Sequence, residues 1–279
     1  MNTLATLLIK RGSTDKSFAV EDINMNEENQ KRNKTLSVNI LTWNTFDTLH
    51  KTLHVLIDEL KGLDAEVIIV DNGSKDGCQD FATIRNDKNL GISKGKNQGI
   101  EASQGEYIMM LDGDVVPVKN SIRCLLEYMQ THPDIDALGF YGDKWARNEG
   151  DYGLQEYCHK LDPVEEYKAG RKQGWCCFYG MYRKSIFDKG LRFDEGFGPG
   201  YGWEDCDFAY TMWSRGIKQW VAGINSKTGK YLHRINSSIT KDCLGQGISA
   251  NFALEKYNEN LLKREAYMKT KWAKEYQLA

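Results

Sequence analysis

No apolar stretch of the 279-residue chain approaches the roughly 20 residues needed to span a bilayer. The first residues also lack the apolar region and cleavage site of a signal peptide. A soluble protein is expected, one that would reach any membrane pathway by docking on a surface or a partner. Seven cysteines are present without a CxxC pair, and only Cys176 and Cys177 are neighbours. That pattern suits neither a zinc module nor a disulfide framework, and the expectation is reduced thiols in a cytoplasmic protein. Charge of one sign is missing too: 37 Lys and Arg stand against 39 Asp and Glu, a formal net charge of -2. Composition therefore gives no reason to expect duplex nucleic acid held by counterion release. Neither a Pro/Gly/Ser linker nor an internal repeat divides the chain. With 41% hydrophobic and 27% charged residues, one composite globular domain is the simplest organisation.

Residues 1–35 are polar, ending in the run Asn26 to Lys34, and read as an arm or linker, although Leu4 to Ile9 has the makings of a short strand or helix. From Leu36 the character changes. Val38, Ile40 and Leu41 mark a buried strand, and Leu49, Leu53, Leu56, Ile57 and Leu60 recur at helical spacing over Asp47 to Leu60. Glu66 to Val70 is a second strand, closed by the turn-forming Asp71-Asn72-Gly73-Ser74. Asn97 to Ser103 reads as helix, Tyr107 to Leu111 as strand and Ser121 to Gln130 as helix. This repeated βα pattern up to about residue 140 predicts a Rossmann-like, mostly parallel α/β sheet flanked by helices, with its ligand site at the carboxyl ends of the strands. Beyond that, Gly174 to Met181 and Trp220 to Gly223 are strand-like, Glu204 to Arg215 is helical, and residues 251–279 form a charged C-terminal helical segment. The main domain is thus 36–250, with an acceptor-side half after about 140.

Asp112-Gly113-Asp114 directly follows the third apolar strand. Residues two apart in an extended segment point to one side, and two such carboxylates repel unless protons or a cation reconcile them. Hard divalent ions, Mn2+ or Mg2+, favour carboxylate and phosphate oxygens, although solvated loop aspartates are the plainer reading of this spacing. Between the second and third strands, Gly91-Ile92-Ser93-Lys94-Gly95-Lys96-Asn97-Gln98-Gly99 combines glycines, two lysines and a helix start. Such a combination approaches and neutralises phosphate, yet it lacks the GK[ST] ending of a Walker A loop. Gly196, Gly198, Gly200 and Gly202 around Pro199 form a loop flexible enough to order over a ligand.

Taken in order, Val38 to Asn44, Ile69 to Gly77, Asn89-Leu90-Gly91 to Asn97-Gln98-Gly99, Gly105 to Asp114, Phe193-Asp194-Glu195 and Gly202-Trp203-Glu204-Asp205-Cys206-Asp207-Phe208 resemble family 2 glycosyltransferases from about Leu36 to His233. The resemblance implies a GT-A fold and an inverting transfer of sugar from a nucleotide-diphosphate donor, by family habit a UDP-sugar, to an acceptor hydroxyl. It puts Thr42, Trp43 and Asn44 against the nucleoside, Asp71 on the nucleobase, Lys96 on the pyrophosphate, Asp112 and Gly113 at the donor, and Asp112 and Asp114 on the metal. His233, the sole histidine after the last motif, is the implied further metal ligand. Asp205 is the implied general base, with Glu204 binding acceptor hydroxyls or buttressing the loop, and the two roles can be exchanged. Trp203 and Trp175 are candidates to stack on the acceptor sugar, with buried packing the alternative for each.

Three departures from the family's common pattern stand out: the polar N-terminal arm, Ser93-Lys94 where small residues are usual, and the absence of a QxxRW-like signature of processive synthases. The last favours single addition and leaves the acceptor open among a glycan, a lipid-linked intermediate, a protein, a small molecule or a modified DNA base. The alternatives are a metal-dependent nucleotidyltransferase and a non-catalytic nucleotide-sugar-binding module. The first calls for a basic, glycine-rich loop where Thr42-Trp43-Asn44-Thr45-Phe46 stands, and the second is at odds with intact Asp112, Asp114 and Asp205.

Overall fold

The computed structural model describes residues 7–11, 18–22, 34–140, 158–167, 179–200, 202–225 and 254–272. Strands β1 (Leu7–Arg11) and β2 (Phe18–Asp22) pair antiparallel within the segment expected as an arm. The main sheet begins at β3 (Leu36–Thr42), followed by helix α1 (Phe46–Glu59), β4 (Ala65–Asp71) and the short β5 (Ile84–Arg85). Helix α2 (Ile92–Ala102) leads to β6 (Tyr107–Asp112), α3 (Ser121–Thr131) and β7 (Ala137–Phe140). The second half supplies β8 (Lys160–Tyr167), β9 (Tyr179–Arg183), the short α4 (Lys184–Asp188), α5 (Glu204–Ser214), β10 (Gln219–Asn225) and the long α6 (Leu254–Trp272).

These strands form one eight-stranded sheet in the order β5-β4-β3-β6-β9-β7-β10-β8. Pairings β3–β4, β3–β6, β4–β5 and β7–β10 are parallel, while β9 and β8 run against their neighbours. The expected mostly parallel α/β sheet is therefore present. All seven residues of β3 are buried, as a central strand covered on both faces requires. Alternation along β6 shows the two faces directly: Tyr107, Met109 and Leu111 join a core with Leu49, Leu53 and Leu125, whereas Ile108 and Met110 join Phe187, Phe208 and Met212 on the other side. Each such fully buried Leu, Met or Phe contributes about 1.5–3 kcal/mol.

Register positions the site. Thr42 lies opposite Asp71, and Leu41 opposite Asp112, so three neighbouring parallel strands end together with their chemistry on one edge. Helix α2 begins five residues earlier than the apolar pattern suggested, at Ile92 instead of Asn97. Its first turns are polar and glycine-containing because they pack closely: a Cβ on Gly95 would stand 2.4 Å from Leu41 Cδ1. Helix α3 is anchored from α1, where the buried Glu59 carboxylate accepts the backbone N–H groups of Asn120 and Ile122. Burial raises the Glu59 pKa against the pull of those donors. No helix among the described residues is long and apolar enough to cross a membrane.

Candidate active site

The loops after β3 and β4 are tied to one another. Asn44, in the left-handed region at φ 53, accepts the Lys75 N–H through Oδ1 at 2.9 Å, while its own N–H donates to Ser74 Oγ at 2.9 Å. Thr42 is buried, its hydroxyl 2.7 Å from that of Thr45 and donating to Cys78 Sγ at 3.2 Å. Trp43 is half-buried in the same loop. Asp71 is fully enclosed, and both its oxygens accept the Ser74 N–H, at 3.1 and 3.2 Å. The turn-stabilising role open to this residue is therefore present. Asn72, which the motif reading passed over, fastens the next segment: its amide donates to Asn89 Oδ1 and Gly91 O and accepts from the Leu90 N–H. That network sets the N-terminus of α2 beside the strand ends.

At the end of β6, Gly113 passes directly under the first loop. Its N–H donates to Leu41 O at 2.7 Å, and a Cβ there would stand 2.6 Å from Thr45 Oγ1 and 2.9 Å from Thr42 Cβ. Only glycine lets the chain turn here with Asp112 and Asp114 on either side. Asp114 is 3% exposed.

From α2, the Lys96 ammonium reaches this edge. It lies 3.1 Å from Asp112 Oδ1 and 3.7 Å from Asp205 Oδ1, and its own side chain is 4% exposed. One buried cation thus joins the carboxylate that ends β6 to the carboxylate in the first turn of α5. Asn97, one residue on, holds the second half in place by donating to Phe193 O and Glu195 Oε1 and accepting the Phe193 N–H. Among the described residues Lys94 pairs with the exposed Glu195.

The first turn of α5 carries Glu204, Asp205 and Asp207, where the helix dipole favours anions. Glu204 is enclosed and paired with Arg264 of α6 at 2.9 Å. Burial, then the neighbouring Asp205 charge, push its pKa up to about 7 in spite of that pairing. Asp207 is bound by Lys271 and by the Trp272 indole N–H, and Lys271 also pairs with Asp194 at 2.7 Å. Trp203 precedes Glu204 at φ 72 and packs against Phe197, Met268 and Trp272. Arg264 and Lys271 were missed in the sequence because their partners stand 60 or more residues away. The two acidic clusters they neutralise were visible as motifs, and that was the available signal.

Asp112, Lys96 and Asp205 therefore meet at one edge, with Asp114 two residues past Asp112 and with Thr42, Asp71 and the Asn44 loop alongside at the neighbouring strand ends. Trp175 and His233 lie outside the described residues. Among the described residues, no group of three or more His, Cys, Asp or Glu side chains is arranged to hold a metal ion. Asp112 and Asp114 still offer the hard oxygen donors that Mn2+ or Mg2+ favours, so the residues present fit such an ion as two of its ligands.

A model of glycosyl transferase family 2 matches residues 37–191. The chain is 27% identical over 121 residues to poly(ribitol-phosphate) beta-N-acetylglucosaminyltransferase TarP of Staphylococcus aureus, covering 39% of this chain and 37% of that protein. It is 22% identical over 171 residues to UDP-Gal:alpha-D-GlcNAc-diphosphoundecaprenol beta-1,3-galactosyltransferase of Escherichia coli, covering 57% and 59%. The chain thus spans less than two thirds of the length of these curated relatives. Among solved structures, S. aureus TarS 1-349 in complex with UDP-GlcNAc shares the fold at a TM-score of 0.52 and 16% identity, covering 85% of this chain and 74% of that one.

Proposed function

This chain belongs to glycosyl transferase family 2, and from that premise we propose that it transfers a sugar from a nucleotide-diphosphate donor, a UDP-sugar, to an acceptor hydroxyl with inversion at the anomeric carbon. The observation that carries the reading is the Lys96 ammonium shared between Asp112 and Asp205. It joins the donor-side strand end to an acid suited to act on an incoming alcohol.

In this reading the entering base displaces the cover over the enclosed Asp71, which accepts the N3–H of uracil, and Thr42, Trp43 and Asn44 line the nucleoside. Lys96 turns from its carboxylate partners to the diphosphate, for which a buried ammonium is a strong charge-assisted donor. Asp112 and Asp114 would hold Mn2+ or Mg2+, and Gly113 lets the backbone approach. When bound, the ion supplies Lewis-acid neutralisation of the departing diphosphate. The acceptor oxygen attacks the anomeric carbon from the face opposite the diphosphate, the carbon–oxygen bond to phosphate breaks, and UDP leaves with the electron pair. Asp205 takes the acceptor's proton as that bond forms. Glu204, enclosed against Arg264, buttresses the turn. Trp203 and Trp175 are the aromatic candidates beside the acceptor, whose class stays among the hydroxyl compounds named above. A cytoplasmic setting belongs to the same reading, supported by the free thiols of Cys78, Cys124, Cys158 and Cys206.

The test is a panel of nucleotide-sugars screened for thermal stabilisation with MnCl2 and with EDTA. Ligand bound to the folded state raises its stability, by about 2.7 kcal/mol at 100 times the dissociation constant. UDP-sugars stabilise in Mn2+ and lose most of the effect in EDTA. A flat response across the panel would sink the donor assignment.

A further inference from the structure

The turn that presents Asp205 is strained. Trp203 stands at φ 72 and ψ -18, a left-handed conformation that is an outlier for a bulky side chain and persists only where the surroundings over-determine it. Arg264 supplies that constraint from α6. Arg264 is 5% exposed, and its guanidinium donates to Gly198 O at 2.7 Å, Gly202 O at 3.0 Å and Glu204 Oε2 at 2.9 Å. The three acceptors bracket Trp203, with Gly202 immediately before it and Glu204 immediately after. The guanidinium also lies 5.8 Å from the Phe197 ring. A planar fork with several fixed donors can serve three acceptors at once, which an ammonium cannot do with the same geometry.

We propose that Arg264 is a positioning residue for transfer: from α6 it locks Gly198, Gly202 and Glu204 around Trp203, and so holds the Asp205 carboxylate at the Lys96 edge of the site. The proposal rests on the reading of Asp205 as general base. Arg264 donates to the turn; Asp205 stands on that turn directly, whereas the donor-side groups Thr42, Asp71, Lys96 and Asp112 stand on other elements, which the turn meets where Gly198 and Pro199 pack on Gly91. Loss of Arg264 therefore separates turnover from donor binding. A misplacement of about 1 Å by a change away from the chemistry costs about 10²-fold in rate.

The experiment compares wild type with Arg264→Met, Arg264→Lys, the double variant Arg264→Met/Glu204→Gln, which removes both buried charges, and Asp205→Asn. UDP binding in MnCl2, followed by calorimetry, counts intact donor sites. Release of UDP from a UDP-sugar with water as acceptor gives kcat and KM per site, and hydrogen exchange reads the amides of 202–206 against those of α2 and β6. For Arg264→Met and the double variant, UDP affinity and donor KM stay at wild-type values and kcat falls by about 10²-fold. Exchange at 202–206 quickens while α2 and β6 keep their protection, and Arg264→Lys recovers part of both losses. Wild-type kcat with wild-type protection at 202–206 in both Met-containing variants overturns the role of Arg264. So does a loss of UDP sites in proportion to kcat, which marks a merely structural residue. An Asp205→Asn variant with full turnover would instead remove the base assignment, and the positioning role with it. An inactive Asp205→Asn beside a fully active Arg264→Met removes the positioning role alone.

Discussion

Lys96 Nζ lies 3.7 Å from Asp205 Oδ1, and this contact connects the helix after β5 with the helix after α4 across the carboxyl edge of the sheet. The same ammonium is 3.1 Å from Asp112. A buried cation between two carboxylates from different halves of the chain offsets the repulsion of their like charges, and in the proposed reading it is the cation for which a diphosphate competes.

Replacing Lys96 with Met removes the ammonium and leaves the side chain's bulk. Hydrogen bonds to charged groups contribute roughly 1.5–3 kcal/mol, so UDP affinity in MnCl2 should fall roughly 10- to 100-fold by calorimetry. Lys96→Arg should keep most of it. Unchanged affinity in the Met variant would take Lys96 out of the diphosphate site.

Asp205→Asn keeps shape and loses the proton acceptor. Donor affinity should stay near the wild-type value, because Lys96 retains Asp112 as its partner. Transfer should fall by about 10² to 10⁴, the usual effect of removing a general base. A variant that transfers at the normal rate would move the base elsewhere in the chain.

Asp114→Ala addresses the metal. The side chain is nearly enclosed and separated from Asp112 only by Gly113, whose close passage under Thr42 and Thr45 fixes the pair. Stabilisation of the wild type by UDP should require MnCl2 and disappear in EDTA. In Asp114→Ala the UDP response should be small and indifferent to EDTA. An intact Mn2+-dependent shift in the thermal midpoint would exclude Asp114 as a ligand.

The donor half was legible because each of its parts is local. Strand Tyr107–Asp112 is apolar up to Asp112, Leu36–Thr42 sets Leu36, Val38 and Ile40 at alternate positions, the strand-end motifs follow them directly, and parallel pairing in register then brings Asp71 and Asp112 to one edge. The start of α2 was obscured where Gly95 serves close packing instead of helix propensity. The second half was harder. β9 inserts antiparallel between β6 and β7, an arrangement no local pattern specifies. The inward face of α6 carries Arg264 and Lys271 beside Met268 and Trp272, so its contribution to the site depends on distant ion pairs and is absent from the apolar periodicity.

Glu204 gives the fold a pH dependence whose sign can be worked out. Burial first, and the Asp205 charge second, raise its pKa from an ordinary 4.5 to about 7, against the opposing pull of Arg264 and Lys96. Between those values the folded protein holds a proton that the unfolded chain has released, so stability from this group is fully present below about pH 4.5 and is lost as pH rises through 7. At about 1.36 kcal/mol per unit the loss is on the order of 3 kcal/mol. Burial raises Glu59 and Asp207 in the same direction, so the measurement must be differential. Urea unfolding of wild type and Glu204→Gln is compared between pH 5 and pH 8, where the Arg264 guanidinium stays charged in both. Wild type should lose stability relative to the Gln variant as pH rises. Parallel curves would mean that Glu204 titrates alike folded and unfolded. A wild type that gains on the variant would mean that the Arg264 pairing outweighs burial and the Asp205 charge.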